Sequence, residues 1–227
     1  MTHTVAGQTD PPDSLIERRA ALLATLRQAG VHDERVLQAI RDVPREQFVA
    51  PPLRAQAFEN IALPIEQGQS ISQPLMVAMM TQALELTGAE HVLEIGTGSG
   101  YQAAILAKCA RSVVTVERWP RLAERAARLL VTLGYTNVQA HIGDGTLGWP
   151  PAAPYDAILV TAAAPVIPEP LLQQLGLNGR LVAPVGSPEQ QDLLLLLKRG
   201  QGIEQRTLGT CVFVPLIGAA AWRERFD

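Results

Sequence analysis

From His91 onward short apolar runs alternate with helical segments, and this rhythm restricts the fold more than any other feature of the chain. HVLEI leads into a helical segment over 100–109, SVVTVE into one over 120–133, and NVQAHI and YDAILVTA into one over 168–175 that precedes RLVAPVG. Strands joined through helices of this length return to the same end of a sheet, so they run parallel and the helices cover both faces. The pattern predicts an open, doubly wound, mostly parallel α/β sheet. DLLLLLK and TCVFVPL predict two further strands near the end, with an antiparallel pairing. The five leucines at 193–197 are too few to span a bilayer and read as a buried strand.

Ahead of this core, residues 1–13 are polar, contain Pro11 and Pro12, and read as a disordered lead-in. Ser14 and Glu17 form a capping-box pattern before an Ala/Leu-rich helix that Gly30 would end. Asp33 can cap a second helix, with Val36, Leu37, Ile40 and Val43 on its apolar face and Pro44 as its stop. Residues 14–80 are expected to be a mainly helical appendage packed on an α/β core of residues 81–227. The whole 227-residue chain suits one large domain, and 47% apolar residues suffice for its core. With 4% aromatics, that core is built from Leu, Val, Ile and Ala.

Charge and composition exclude several functions. A net charge of −3 leaves no footprint for sequence-independent nucleic-acid binding. His3, His32, His91 and His141 are scattered without metal-ligand spacing, so no metal site is expected. Cys109 and Cys211 belong to no CxxC pair and read as core residues of a protein from a reducing compartment. The N-terminus lacks the basic-then-apolar order of a secretory signal, and the expectation is a cytoplasmic protein with no membrane partner.

VLEIGTGSGYQ at 92–102 is the strongest local signal. Gly96, Gly98 and Gly100 stand between a strand and a helix, where the backbone must turn tightly and approach a ligand. The spacing is neither the dinucleotide fingerprint nor a Walker loop. Glu94 at the strand end would repel a pyrophosphate and suits an ammonium or sulfonium charge, or else serves as a hydrogen-bonding residue. Glu117 ends the next strand about 20 residues on, where a carboxylate accepts ribose hydroxyls. Asp144, after the third strand, can take an adenine amino group, and Gly145 leaves room for the ring. All three acids fall at carboxyl ends of adjacent strands.

Together E-x-G-x-G-x-G, Glu117 and Asp144 resemble the class I methyltransferases that use S-adenosylmethionine. More specifically, VPREQFV, NIALPIEQGQSISQPLMVA, GDG, PYDAILVTAAAP, LLQQLGLNGRLVAPVG and FVPL are similar, in this order, to segments of the protein-L-isoaspartate O-methyltransferases. The similarity runs from about residue 14 to 217. It implies a Rossmann-like methyltransferase sheet and methylation of the α-carboxylate of L-isoaspartyl residues in damaged proteins and peptides. On this resemblance Ser72 is the active-site hydroxyl. The cofactor contacts extend to Gln69, Ile71, Ser72, Thr97, Ser99, Tyr101 and Arg118, and the substrate contacts are Pro64, Ile71, Ser72, Gln73 and Val214. A substrate carboxylate with a pKa near ~4 is already ionised at neutral pH, so Ser72 is expected to orient it rather than act as a nucleophile.

Ser72 has a second reading as the cap of the helix that Pro74 starts. Leu75 and Glu66 depart from the family's usual residues at their positions. Trp119 either packs near the adenine or is an exposed helix-start aromatic; Trp222, in a tail that reads as a short surface helix, is favoured as a packing anchor over a lid. Two rival functions remain: a class I methyltransferase of a small molecule or nucleic acid, and a catalytically inactive domain that binds peptides. The segment Ser70-Ile71-Ser72-Gln73-Pro74 speaks against the first, and the intact Gly loop, Glu117, Asp144 and Ser72 against the second. The expected state is a monomer.

Overall fold

The structure is a computed structural model that describes residues 15–200 and 202–223, so the expected lead-in over 1–13 and the Ser14 cap lie outside the described residues. Helix α1 (Leu15–Gln28) ends as its sequence predicts: Gly30 takes φ 96°, and the N–H groups of Gly30 and Val31 return to the carbonyls of Arg27 and Leu26 at 3.1 and 3.0 Å. Helix α2 (Glu34–Asp42) starts at Asp33, whose carboxylate accepts from the N–H of Arg35 and Val36 at 2.9 and 3.3 Å. Its buried face is Val36, Leu37, Ala39 and Ile40.

A single 3-10 turn over Arg45–Gln47 and a two-turn 3-10 segment over Pro51–Gln56 then carry the chain to a small antiparallel hairpin, β1 (Leu63–Pro64) with β2 (Ser70–Ile71). Helix α3 (Pro74–Ala83) follows at once. The hairpin is an element the helical reading of this segment did not contain; its strands are two residues long and have no periodicity to read.

The sheet has seven strands: β3 (His91–Ile95), β4 (Ser112–Glu117), β5 (Val138–Ile142), β6 (Tyr155–Val160), β7 (Leu175–Gly186), β8 (Gln191–Arg199) and β9 (Gly202–Cys211), in the order β5-β4-β3-β6-β7-β8-β9. Strands β3 to β7 pair in parallel, and β7-β8-β9 are antiparallel. Helices α4 (Tyr101–Cys109), α5 (Pro120–Thr132) and α6 (Glu169–Gln174) make the crossovers. Strand order reverses beside β3, so the crevice outside β3 and β6 is where this topology places a ligand.

Alternation along each strand divides the core in two. Val92, Val113, Leu159, Val182 and Leu193 point to one face, packed with α4 and with α1, α2 and α3. Leu93, Ile95, Val114, Ile158, Leu181 and Leu194 point to the other, packed with Leu171 of α6. The N-terminal helices therefore share one hydrophobic core with the sheet.

Two expectations need correction. The last strand runs over Gly202–Cys211 rather than TCVFVPL, of which residues past Cys211 make only an isolated bridge from Pro215 to Ala163. As an edge strand, β9 shows most of its side chains to solvent, and its polar sequence hid it. The AAAW segment is a turn, not a helix: Gly218 N–H donates to Trp222 O at 2.9 Å, and Trp222 N–H to Leu216 O at 3.1 Å. Cys109 and Cys211 are both buried thiols, and Leu193–Leu197 are buried in β8.

Candidate active site

At the end of β3 the chain turns through Gly96, which takes φ 96° and lies so close to β6 that a Cβ there would collide with Thr161 Oγ1. The Thr161 hydroxyl reaches the carbonyls of Gly96 and Ile95 at 2.7 and 2.9 Å, tying the loop to the neighbouring strand. Glu117, 5% exposed at the end of β4, steadies the other side: Oε2 accepts from Gly98 N–H at 2.9 Å and Oε1 from Trp119 N–H at 3.0 Å. Each carboxylate oxygen keeps acceptor capacity for a hydroxyl.

Between these groups lies a cavity of about 250 Å³, walled by Gly96, Gly98, Glu117, Trp119, Gly145 and Thr161, with Gln69 and the 214–217 segment closing it from either side. Gly145 has no room for a side chain, since a Cβ would stand 2.6 Å from Ile95 Cγ2. A concave floor of glycines, a carboxylate anchored by backbone N–H groups and an aromatic wall fit a nucleoside.

Behind the loop, Glu94 is completely buried, and neither carboxylate oxygen has a hydrogen-bond partner. Burial dominates and pushes its carboxyl up to about 8, with the Thr115 hydroxyl alongside pulling the other way and the charge of Glu117 adding to the rise. The adjacent Thr97 and Thr115 hydroxyls bond each other at 2.6 Å.

Ser72 lies between β2 and α3 and lines a second cavity, about 560 Å³, together with Gln73, Met76, Thr161, Phe213 and Val214. A small void of about 30 Å³, lined by Ile71, Ser72, Thr97, Ser99, Tyr101 and Thr161, joins it to the Gly loop. Ser72 does not cap α3. The N-cap is Gln73, which makes no side-chain capping bond, and the orphan Leu75 N–H is taken by Asn60 Oδ1 at 2.9 Å. The Ser72 hydroxyl is half-buried at the cleft and is left for a ligand.

The structure thus brings Gln69, Gly96, Gly98, Glu117, Arg118, Gly145 and Val214 to the first cavity, and Ser72, Gln73 and Val214 to the second. Ile71, Thr97, Ser99 and Tyr101 line only the small void. Four of the expected residues line none of these spaces. Pro64 pairs with Ser70 in the hairpin, Gly100 packs against Ala126, Glu94 is buried behind the loop, and Asp144 sits under the C-terminal turn. Asp144 Oδ1 accepts from Thr146 N–H and Oγ1 at 2.9 and 2.6 Å, while Oδ2 accepts from Ala219 N–H at 2.8 Å. The turn it holds presents Leu216 and Ile217 to the first cavity. Trp119 lines the nucleoside cavity, its ring 4.8 Å from the Arg118 guanidinium carbon. Thr161 was missed by the sequence reading although it borders all three spaces. Its only local signal is its position just past a strand end.

The sequence model of a family described as protein-L-isoaspartate(D-aspartate) O-methyltransferase matches residues 17–221. A protein-L-isoaspartate O-methyltransferase of Methanoculleus marisnigri is 54% identical over 207 residues, 91% of this chain and 94% of the relative. Its namesake in Rhodopseudomonas palustris is 51% identical over 197 residues, 86% of this chain and 90% of the relative. Among solved structures, a protein-L-isoaspartate O-methyltransferase with 31% identity superposes with a TM-score of 0.81 over 89% of this chain and 67% of that one. A Plasmodium falciparum chain of the same family name, solved in complex with S-adenosyl-L-homocysteine, shares the fold at 23% identity and a TM-score of 0.76, covering 88% of this chain and 98% of that one.

Proposed function

The chain belongs to the protein-L-isoaspartate(D-aspartate) O-methyltransferase family, and from that premise we propose that it transfers a methyl group from S-adenosyl-L-methionine to the free α-carboxylate of L-isoaspartyl residues in damaged proteins and peptides. The observation that carries this reading is the pairing of two cavities across Thr161: one shaped for a nucleoside, the other an uncharged cleft with an uncommitted serine hydroxyl.

The cofactor supplies a methyl group activated by a positively charged sulfur. What the chain supplies is binding, orientation and exclusion of water. Glu117 is assigned to the ribose hydroxyls, Gly96 and Gly98 to close backbone approach, and Trp119 and Gly145 to the faces of the adenine. Asp144 shapes the adenine end by holding the turn that presents Leu216 and Ile217, through Oδ1 to Thr146 and Oδ2 to Ala219. The Glu94 carboxyl, pushed up to about 8 by burial, is neutral behind the Gly loop at pH 7, and a cation bound beside it would pull that value back down. Gln69, Ile71, Thr97, Ser99, Tyr101 and Arg118 shape the surrounding wall, and Gly100 lets α4 pack against α5.

Ser72 donates a hydrogen bond to the substrate carboxylate and fixes the attacking oxygen; Gln73, Val214 and, from the hairpin, Pro64 and Ile71 bound the peptide. No general base is needed, because the attacking group is already an anion. Contact geometry of roughly 3 Å between oxygen and methyl carbon is where such positioning has its effect. The division near residue 80 is then one of role rather than of folding, with the N-terminal segment carrying the substrate side.

We also infer a cytoplasmic monomer that acts on peptide chains without nucleic-acid or membrane partners. The two buried free cysteines suit a reducing compartment, and the exposed Glu204, Gln205 and Arg206 on β9 suit a sheet edge left in water. The test is methyl transfer from labelled cofactor to matched L-isoaspartyl and aspartyl peptides. Base-labile label on the isoaspartyl peptide alone is expected, with Ser72→Ala lowering turnover while cofactor affinity holds. Label on neither peptide, or on both equally, overturns the reading.

A further inference from the structure

The turn Arg45–Gln47, part of the VPREQFV segment, carries a charge that the site described so far does not use. Arg45 is 2% exposed. Its Nη1 donates to Ala57 O at 2.7 Å, and its Nη2 donates to Ile61 O at 3.0 Å and to Ser72 O at 3.1 Å. The guanidinium carbon stands 5.7 Å from the centre of the Tyr101 ring, and Nε has no partner. Among the described residues no carboxylate pairs with it; the adjacent Glu46 turns instead to Arg19 at 3.5 Å. A guanidinium stays protonated, so this is a buried cation held by carbonyl dipoles and an aromatic ring alone. Buried charges are costly unless something compensates them, and dipoles compensate only in part.

The cleft in front of Ser72 shows the complementary feature. No charged side chain lines it among the described residues, although its substrate enters as a carboxylate. The positive charge therefore comes from behind the wall, through the residue whose carbonyl Arg45 holds.

On the reading of the site given above, we propose that Arg45 is a positioning residue for the isoaspartyl carboxylate: it clamps the Ser72 carbonyl so that the hydroxyl faces the cleft, and its uncompensated charge makes that wall selective for an anion. The arrangement reaches across three loops, since Ala57, Ile61 and Ser72 all end on one guanidinium. No single carbonyl explains an arginine here. A site that needed only a donor would be served by a neutral side chain at lower cost of burial.

The experiment compares wild type, Arg45→Gln and Arg45→Lys. Two peptides are used, one with L-isoaspartate and one with the neutral isoasparagine in its place, and binding is measured by calorimetry with S-adenosyl-L-homocysteine present. Methyl transfer to the first peptide gives kcat and KM. The expected result in Arg45→Gln is a tenfold or greater loss of the preference for the carboxylate peptide, with a matching rise in KM and cofactor affinity within about twofold of wild type. A merely structural role would weaken both peptides alike and leave their ratio unchanged, which overturns the proposal. Arg45→Lys keeps the charge but not the three-way fork, so the preference holds while kcat falls about five- to tenfold. Wild-type kcat and KM in Arg45→Lys would overturn the positioning role even if Arg45→Gln does not fold. Wild-type enzyme that methylates nothing sinks the functional reading and this proposal together; active wild type with an unchanged ratio in Arg45→Gln sinks this proposal alone.

Discussion

Replacing Glu94 with glutamine should change the pH dependence of folding in a way that can be worked out beforehand. Glu94 is fully buried in the middle of the sheet, with neither carboxylate oxygen hydrogen-bonded. Burial raises its pKa from 4.5 to about 8, so the folded protein holds a proton there that the unfolded chain releases. The sign follows from proton counting. Between pH 4.5 and about 8 the unfolded state binds fewer protons at this site, so stability falls as pH rises, by up to about 1.4 kcal/mol per unit. Below pH 4.5 both states are protonated and the site contributes no slope; above about 8 both are ionised and the loss is complete. Across the window the loss is on the order of 5 kcal/mol, a large share of a typical domain's stability. Glutamine has the shape of the protonated acid and does not titrate. Urea denaturation at pH 5, 6, 7 and 8 should therefore show Glu94→Gln gaining on wild type at each step, by several kcal/mol in total. Parallel stability curves for the two proteins would refute the reasoning, since they would mean that Glu94 ionises at the same pH whether folded or not.

Other outcomes follow from single contacts. Glu117→Ala removes the acceptors of the Gly98 and Trp119 N–H groups along with the ribose partner, and should weaken S-adenosyl-L-homocysteine binding by about 1.5–3 kcal/mol, roughly 10- to 150-fold in Kd by calorimetry; an unchanged Kd removes Glu117 from the site. Asn60→Ala uncaps α3 and should lower stability by about 1 kcal/mol, read as a fall in Tm, and a Tm equal to wild type would show that the Leu75 N–H finds another partner at no cost.

Features fixed by local chemistry were legible in the sequence. Asp33 capping α2, Gly30 ending α1, and the buried run Leu193–Leu197 each depend on residues a few positions apart. The Gly loop with Glu117 was legible for a related reason: in a parallel sheet the end of each strand is pinned to the end of its neighbour, so spacing along the chain stands for nearness in space. What failed to show depends on distant pairings. Thr161 matters because β6 lies next to β3, and its hydroxyl serves a loop more than 60 residues earlier. Asn60 caps a helix that begins well downstream of it, leaving Ser72 free of the role its position invites. The tail's alanines favour a helix, but Asp144 and Thr146 take the Ala219 and Ala220 N–H groups and fold it into a turn. Strand β9 escaped because an edge facing water has no apolar pattern to find.

The same distinction explains why residues 15–80 must be rigid. The Gly loop and Thr161 belong to the sheet, whereas Ser72 sits just past a hairpin outside it, so their separation is only as fixed as the joint between the two parts. That joint is built into α4, the helix that starts from the Gly loop itself. Phe48 meets the Tyr101 ring edge-on at 5.6 Å between centres, Gln102 Nε2 donates to Thr81 Oγ1 at 3.0 Å, and α2 and α3 share their hydrophobic core with Ala103, Ile105 and Leu106. A shift of α4 would move cofactor loop and serine together rather than apart. For a reaction whose rate rests on the alignment of one oxygen with one methyl carbon, an error of about 1 Å is already expensive. Anchoring both halves of the site to one short helix keeps that error small without requiring the serine to be part of the sheet.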